Sequence, residues 1–541
     1  MRKTNRKLWI VSAVLILVLT AVLSACGGAD RNDPAGSAGT NAGNSENTGD
    51  TGNSGSSADS GNGSANAGGG DGGGSEPPVK VTIMSHFFNA TPPQDGNPVE
   101  LAIEKATNTE LDIQWVSANN YTDKLNVTLA SGDMPDLLFI NDPFSPTYRS
   151  AAEQGAFWDL APFIDDYPNL KATISDIAWE LTKINGANYG IPRPRPSEGE
   201  TFFIIRKDWL DNLGLEVPET TDELYAVMKA FTENDPDGNG QNDTTGFAGY
   251  VNPEDMGNMG VIESSFTGAN GLWKDVNGEL VFTAFLPETR EALEYLANAY
   301  KEKLIPPDFA SMKVSQAKDL FKANKAGIIS EKSGALQEYY DVLKEIVPDF
   351  EMTDMLPLVS MNGFNPKGPG FAGVNVIPKS VPEDKVRKIL AMYDKWTTEE
   401  VFILHQRGIE GIHHKVENGE VVIDTERMQA DAISDYNQIV YVSDPYASTV
   451  KPTFPEEAQR LYAEIQDERA KTSVADVSIG LYSETAQTYL SELKKKLQDM
   501  KTKVILGTAS LDDWDQFVEQ LKNDANMKKM IEEMNEAYRS R

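Results

Sequence analysis

ASGDMPDLLFIND, residues 130–142, contains the short apolar run DLLFI from Asp136 to Ile140, bounded by turn-forming residues. The run is too brief and too continuously apolar for an amphipathic helix, and it predicts a strand buried on both faces. Just upstream, Tyr121, Leu125 and Leu129 recur every four residues and mark one face of a helix. Further back, Leu111, Ile113 and Trp115 alternate, a helical stretch begins near Val99, and Val79, Val81 and Ile83 alternate again. Strand, helix, strand, helix, strand implies an α/β fold built on a parallel sheet. Ligands of such sheets bind beyond the carboxyl ends of the strands. Here those ends carry Ser85-His86-Phe87-Phe88 and Asn141-Asp142-Pro143.

A second unit begins downstream. KINGANYGIPRPRP (residues 183–196) combines an Asn-Gly turn with prolines that disfavour a central strand. The apolar strand TFFIIRKDWL follows, from Thr201 to Leu210. Thr220-Thr221-Asp222-Glu223 then offers a capping box ahead of Leu224, Met228 and Phe231. FAGVNVIPKS, from Phe371 to Ser380, is another isolated strand, EDKVRKILAMYDKW has helical period, and the chain is helical again from about Thr485. Some 463 residues follow position 78, more than one hydrophobic core usually serves, so two lobes are expected.

The first 78 residues differ in kind. Arg2, Lys3, Arg6 and Lys7 precede the apolar segment from Leu8 to Leu23, the layout of a secretory signal. The string Leu23-Ser24-Ala25-Cys26 resembles a bacterial lipobox, which implies cleavage before Cys26 and acylation of its thiol. From Gly27 to Pro78 the chain has no Val, Ile, Leu, Met, Phe, Trp or Tyr and cannot bury a core. As a coil it would span about 40 Å, a tether between lipid and a globular body. Cys26 is the only cysteine, so the exported body has no disulfides. The formal charge of −33 becomes −37 without the four basic signal residues, which makes nucleic acid a poor partner.

Five strings in order, ASGDMPDLLFIND, GAFWDLAPFID (155–165), NGANYGIP (185–192), IIRKDWLDNLGLEVPETTDEL (204–224) and VNVIPKS (374–380), resemble the extracellular solute-binding proteins of carbohydrate ABC importers. GIEGIHH (408–414) and VILGTASLDDWDQFVEQL (504–521) are similar to the larger oligosaccharide-binding lipoproteins of that family. The resemblance implies a two-lobed periplasmic-binding-protein-like fold of type II, with parallel-dominated sheets, helices on both faces and hinge strands between the lobes. Its organisation would be a signal peptide over 1–25, a tether over 26–78, a first lobe over 79–200 and 374–435, a second over 201–373, and a mainly helical segment over 436–541 belonging mostly to the second lobe. It further implies an oligosaccharide ligand, a permease partner, a monomer, and a lipid-anchored place on the outer face of the cell membrane.

Asp235-Pro236-Asp237-Gly238-Asn239-Gly240-Gln241-Asn242-Asp243 is the sharpest local motif. Oxygen-bearing side chains alternate at Asp235, Asp237 and Asn239, Gly240 permits the tight turn, Gln241 offers a carbonyl and Asp243 closes the set, as calcium prefers. Position twelve is Gly246 rather than Glu, and Thr244 stands where the resembled subgroup commonly has an acid. A polar turn is the plain alternative reading of this loop.

Evidence for catalysis is thin. The HExxH, GxSxG and GxxxxGK[ST] motifs are missing, and the histidines are His86, His405, His413 and His414. Sugar recognition needs apolar faces for pyranose rings and planar polar groups for hydroxyls. The candidates are His86, Asn141, Asp142, Arg193, Arg195, Trp273, Glu331, Lys332 and Glu410. A two-carboxylate glycosidase and a surface protein that serves no permease are the two other classes consistent with the sequence.

Overall fold

The computed structural model describes residues 77–417 and 420–541. The signal, Cys26 and all but the last two residues of the expected tether lie outside them. In chain order the strands are β1 (Val79–Phe87), β2 (Thr109–Ser117), β3 (Leu137–Ile140), β4 (Gly190–Pro194), β5 (Phe202–Arg206), β6 (Thr245–Phe247), the hairpin β7 (Trp273–Val276) and β8 (Glu279–Phe282), then β9 (Ala326–Glu331), β10 (Met355–Pro357), β11 (Asn365–Lys367) and β12 (Phe371–Val376). A second hairpin, β13 (His414–Glu417) and β14 (Glu420–Ile423), and the short β15 (Ser473–Ala475) follow.

The first sheet has the order β2-β1-β3-β12-β4, with β1 parallel to both β2 and β3. The second is β10-β5-β9-β6. Both are mixed, which corrects the expectation of parallel-dominated sheets. The reason is topological. β12 re-enters the first sheet straight from the second lobe and therefore runs antiparallel to β3 and β4. β5 leaves β4 without an intervening helix, and it runs antiparallel to β9 and β10, while β6 and β9 are parallel.

Helix boundaries follow local chemistry. Thr220 and Glu223 form the capping box of the helix Thr221–Glu233, whose Leu224, Val227, Met228 and Phe231 face the core. The helices Glu484–Ile505, Leu511–Asn523 and Ala525–Arg539 send Leu493, Trp514 and Met530 into the same core as Phe203 and Phe247, far earlier in the chain. The first core gathers Val81, Ile83 and Ile191 with Phe371, Trp396, Tyr436 and Val440. The division drawn at Tyr436 therefore falls inside the first core, and the chain reaches second-lobe partners by Phe454.

Segments around 195–200, 367–370 and 443–450 cross between the two sheets. Two of them bond to each other, through Gly368 N to Ser197 O at 2.7 Å and Arg195 N to Gly370 O at 2.9 Å. Beside them β11 pairs in parallel with β15. No helix among the described residues is long and apolar enough to cross a membrane.

Candidate functional site

Beyond the strand ends of the first sheet, β1 delivers His86 and β4 delivers Arg193 to one buried network. The His86 Nε2 lies 3.2 Å from Gln438 Oε1. The Arg193 guanidinium donates to Gln438 O at 2.6 Å, to Gln438 Oε1 at 3.1 Å and to Ala372 O at 3.1 Å, and it stacks 4.2 Å over the Phe139 ring. Burial, with Arg193 next to it, pushes the His86 pKa down to about 4, so the ring is neutral near pH 7. Burial likewise lowers Arg193 to about 9, with Arg195 adding repulsion. These two residues hold the floor together; their hydrogen bonds are spent inside the protein.

Asn141 and Asp142 are exposed at the end of β3. Asn141 donates to Thr122 Oγ1 at 3.0 Å, and Asp142 Oδ1 accepts from Phe144 N at 2.9 Å, a local turn that turns the Phe144 ring outward, 38% exposed. The more telling residue is Phe88, whose ring is 68% exposed just past β1. Its backbone is fixed by a 2.8 Å bond to Asp435 Oδ1, and its ring meets His86 edge-on at 4.9 Å. Neither phenylalanine was among the sequence candidates, although Phe88 lies in the SHFF string that ends β1.

Trp273 requires correction. Only 4% of it is exposed, and its ring packs edge-on against Phe282 at 5.3 Å inside the second core, so it offers no face to a ligand. Glu331, at the end of β9, is engaged by Lys318 at 2.6 Å and Tyr339 Oη at 2.9 Å. Lys332 pairs with Glu200 at 3.0 Å. Glu410 is exposed and bridges to His414, in a loop pinned by His413, whose Nε2 is 2.9 Å from Asp431 Oδ2. That contact gives the neighbouring histidines a structural role. The structure thus brings His86, Arg193 and the β1 end together, while Trp273 lies in the other core.

The second lobe has a cavity of about 510 Å³ where β5 begins and β9 ends. Its lining mixes hydroxyl and amide groups, among them Thr201, Tyr250, Ser330 and Gln498, with the charged Glu254, Glu263, Lys494 and Lys501 and the apolar Met256 and Leu272; the Asn258 and Asn270 amides are spent on backbone carbonyls, and the Ser330 hydroxyl is buried without a partner. Such a lining suits a polyhydroxylated ligand.

On the outer side, the loop from Asp235 to Asp243 closes on itself. Asp235 accepts from Asn239 N at 3.0 Å and Gly240 N at 2.8 Å, and the Asn239 amide donates to Asp237 at 2.9 Å and Asp243 at 3.2 Å. Asp237 Oδ1 is buried without a hydrogen-bond donor, and burial raises the pKa of that carboxyl. Lys325 pairs with Asp243 and lowers its pKa. Among the described residues no three acidic or histidine side chains form a ready cluster for a metal ion. Cationic and amide donors instead occupy the oxygens a cation would take.

The family model described as "Bacterial extracellular solute-binding protein" matches residues 90–355. The polygalacturonan/rhamnogalacturonan-binding protein YtcQ of Bacillus subtilis is 30% identical over 542 residues, 97% of each chain. The chain belongs to the bacterial extracellular solute-binding proteins. Lipoprotein LipO of the same organism is 31% identical to this solute-binding protein over 478 residues, 85% of this chain and 92% of that one. A solved HMO-binding, ABC-transporter-associated solute-binding protein from Bifidobacterium longum infantis superposes with a TM-score of 0.67 at 21% identity, over 86% of this chain and 99% of the other, and supports the two-lobed fold. Another neighbour in fold, at a TM-score of 0.61, 21% identity and coverage of 86% and 99%, is described as alginate-binding protein AlgQ2 without calcium ion.

Proposed function

We propose that this solute-binding protein captures an oligosaccharide by closing its lobes and delivers it to an ABC-type permease, acting as a monomer without catalysis. The observation that carries the reading is that each lobe offers a surface suited to sugar. The first lobe presents exposed rings, Phe88 and Phe144, and the second a cavity whose lining includes hydroxyls and amides beside charged and apolar groups. Rings stack on the CH faces of sugars while amides take their hydroxyls. Asn141 and Asp142 lie beside the rings and serve the ligand directly, whereas His86 and Arg193 hold the floor. The likeness to the polygalacturonan/rhamnogalacturonan-binding YtcQ favours a galacturonan-type chain.

Cys26, acylated at the lipobox, would anchor the protein to the outer face of the membrane, and the name of LipO supports such an anchor. Calcium is proposed for the loop 235–243. Its donor set is hard oxygen, and the buried Asp237 Oδ1, which accepts no hydrogen bond, is free to take an ion. Asp235, Asp237, Asn239, Asp243 and the Gln241 carbonyl would hold the ion, which would supply positive charge that fixes the loop.

Titration calorimetry with trigalacturonate, followed by mass spectrometry of the recovered sugar and small-angle scattering, tests the central reading. Intact sugar and a smaller radius of gyration are expected. Shortened sugar would point to a glycosidase, and neither binding nor compaction with this or other oligosaccharides would end the transport reading.

A further inference from the structure

The ladder between β1 and β2 ends at Phe87, so Phe88 is the first residue that the sheet does not hold. Its ring is the most exposed of the large apolar side chains among the described residues, and His86 meets only its edge. What fixes the chain at this point is a buried carboxylate. Asp435 is 1% exposed, and both hydrogen bonds that it accepts come from the two residues after β1: Oδ1 takes the Phe88 N–H at 2.8 Å, and Oδ2 takes the Asn89 Nδ2 at 2.8 Å. The same Asn89 amide donates to Ser434 Oγ at 3.0 Å. Burying a carboxylate on neutral donors is costly, and what this one secures is the course of the backbone at residues 88 and 89.

The element that carries Asp435 is itself held from several sides. It is the short turn Ile433–Gln438, entered through Ala432, whose φ of 52° lies in the left-handed region that a non-glycine residue keeps where its surroundings over-determine it. Before the turn, Asn97 Nδ2 donates to Asp431 O at 3.0 Å. After it, Asn375 Nδ2 and Tyr393 Oη donate to Ile439 O at 3.0 and 3.1 Å. Tyr436 is fully buried within the turn and lies edge-on to Trp115 at 5.7 Å. The base from which Asp435 reaches Phe88 is therefore rigid.

We propose that Asp435 is a positioning residue for the oligosaccharide, which holds Phe88 in its outward pose before the sugar arrives and does not itself touch the sugar. The inference rests on the reading of Phe88 as a stacking face. A ring with so few neighbours takes its direction from its backbone, and the backbone takes its direction from Asp435. Ordering a loop or side chain during binding costs affinity, and a ring already held in the bound pose escapes that cost. Asparagine cannot replace the carboxylate, because its oxygen serves one of the two donors while its NH₂ is turned toward the other.

Titration calorimetry with trigalacturonate on the full chain tests this as a double-mutant cycle. Asp435→Asn should weaken binding by about three- to tenfold, the cost of ordering a released side chain. Asn89→Ala removes one of the two bonds from a half-buried position and should weaken binding in the same direction by a smaller factor; it carries the cycle if Asp435→Asn does not fold. In a Phe88→Ala background each substitution should change affinity by less than about twofold, since the ring they hold is gone. A merely structural role for Asp435 would weaken binding equally in both backgrounds. Hydrogen exchange without sugar gives a second readout: the Phe88 amide should exchange about tenfold faster in Asp435→Asn, as a lost hydrogen bond allows, while amides inside β1 keep their protection. Equal weakening in both backgrounds, wild-type affinity in the variants, or unchanged exchange at Phe88 each overturns the proposal and leaves the transport reading standing. A wild-type chain that binds no trigalacturonate overturns the proposal together with the galacturonan reading, so the two failures are told apart.

Discussion

Lys325 forms an ion pair with Asp243, the last of the alternating oxygen-bearing side chains of the loop 235–243, and so places its ammonium on an oxygen that the proposed calcium ion would use. The same loop leaves Asp237 Oδ1 buried and without a donor. One carboxylate is occupied by a lysine and another waits. Competition between Lys325 and calcium should therefore set the affinity of the site. Millimolar calcium should raise the melting temperature relative to chelator, because a ligand of the folded state alone stabilises it by mass action. Asp237→Asn should abolish that rise. Lys325→Met should tighten calcium binding severalfold, because it removes the competing ammonium; calorimetry on the two variants checks both.

The tight polar turn of this loop was legible in the sequence because its hydrogen bonds join residues close together in the chain. The buried run Leu137–Ile140 and the Thr220–Glu223 capping box were legible for the same reason. Direction within the sheets was not. Periodicity shows that Phe371–Val376 is a strand but not that it returns from the far lobe and runs antiparallel to β3. Nor does it say that Asn535 Nδ2 donates to Leu280 O, joining the last helix to β8. Trp273 misled because a tryptophan after Gly271 looks like a loop residue, while the β7–β8 pairing opposite Phe282 puts its ring inside.

Trp273 and Phe88 should separate cleanly when each is truncated. Trp273→Ala removes a ring from the second core and should cost about 3–5 kcal/mol of stability, read by urea unfolding without ligand. Phe88→Ala removes a ring that is already mostly in water and should leave the unfolding midpoint nearly unchanged. Its effect should appear in oligosaccharide affinity, by about 1–3 kcal/mol if its ring stacks as aromatic platforms do on other flat rings.

Glu533 offers a different test. Its carboxylate accepts from Ser483 Oγ at 2.6 Å, Thr485 N at 2.9 Å and Thr485 Oγ1 at 3.1 Å, capping the helix Glu484–Ile505 from a different helix. Burial alone would raise its pKa, but these bonds hold it at about 2. Glu533→Gln should destabilise the protein at pH 7 and lose that effect as pH falls toward 2, since a depressed carboxyl pKa contributes stability only above it.

Two histidines should make the protein sensitive to mild acid. His405 is fully buried beside Trp396, and burial pushes its pKa down to about 3; His86 lies at about 4. Their usual value in an unfolded chain is about 6.5. Between pH 6.5 and 4 the unfolded chain thus holds protons on both side chains while the native protein holds almost none. Stability therefore falls as pH falls through that window, by about 1.4 kcal/mol per pH unit for each histidine. Carboxylates contribute their own slope below about pH 5, so the difference between wild type and His405→Gln is the quantity to measure. Urea unfolding at pH 7.0, 6.0 and 5.0 should show His405→Gln losing stability more slowly than wild type, by roughly one histidine's worth across the window; parallel pH curves would mean that His405 takes up its proton as readily in the native protein as in the unfolded chain.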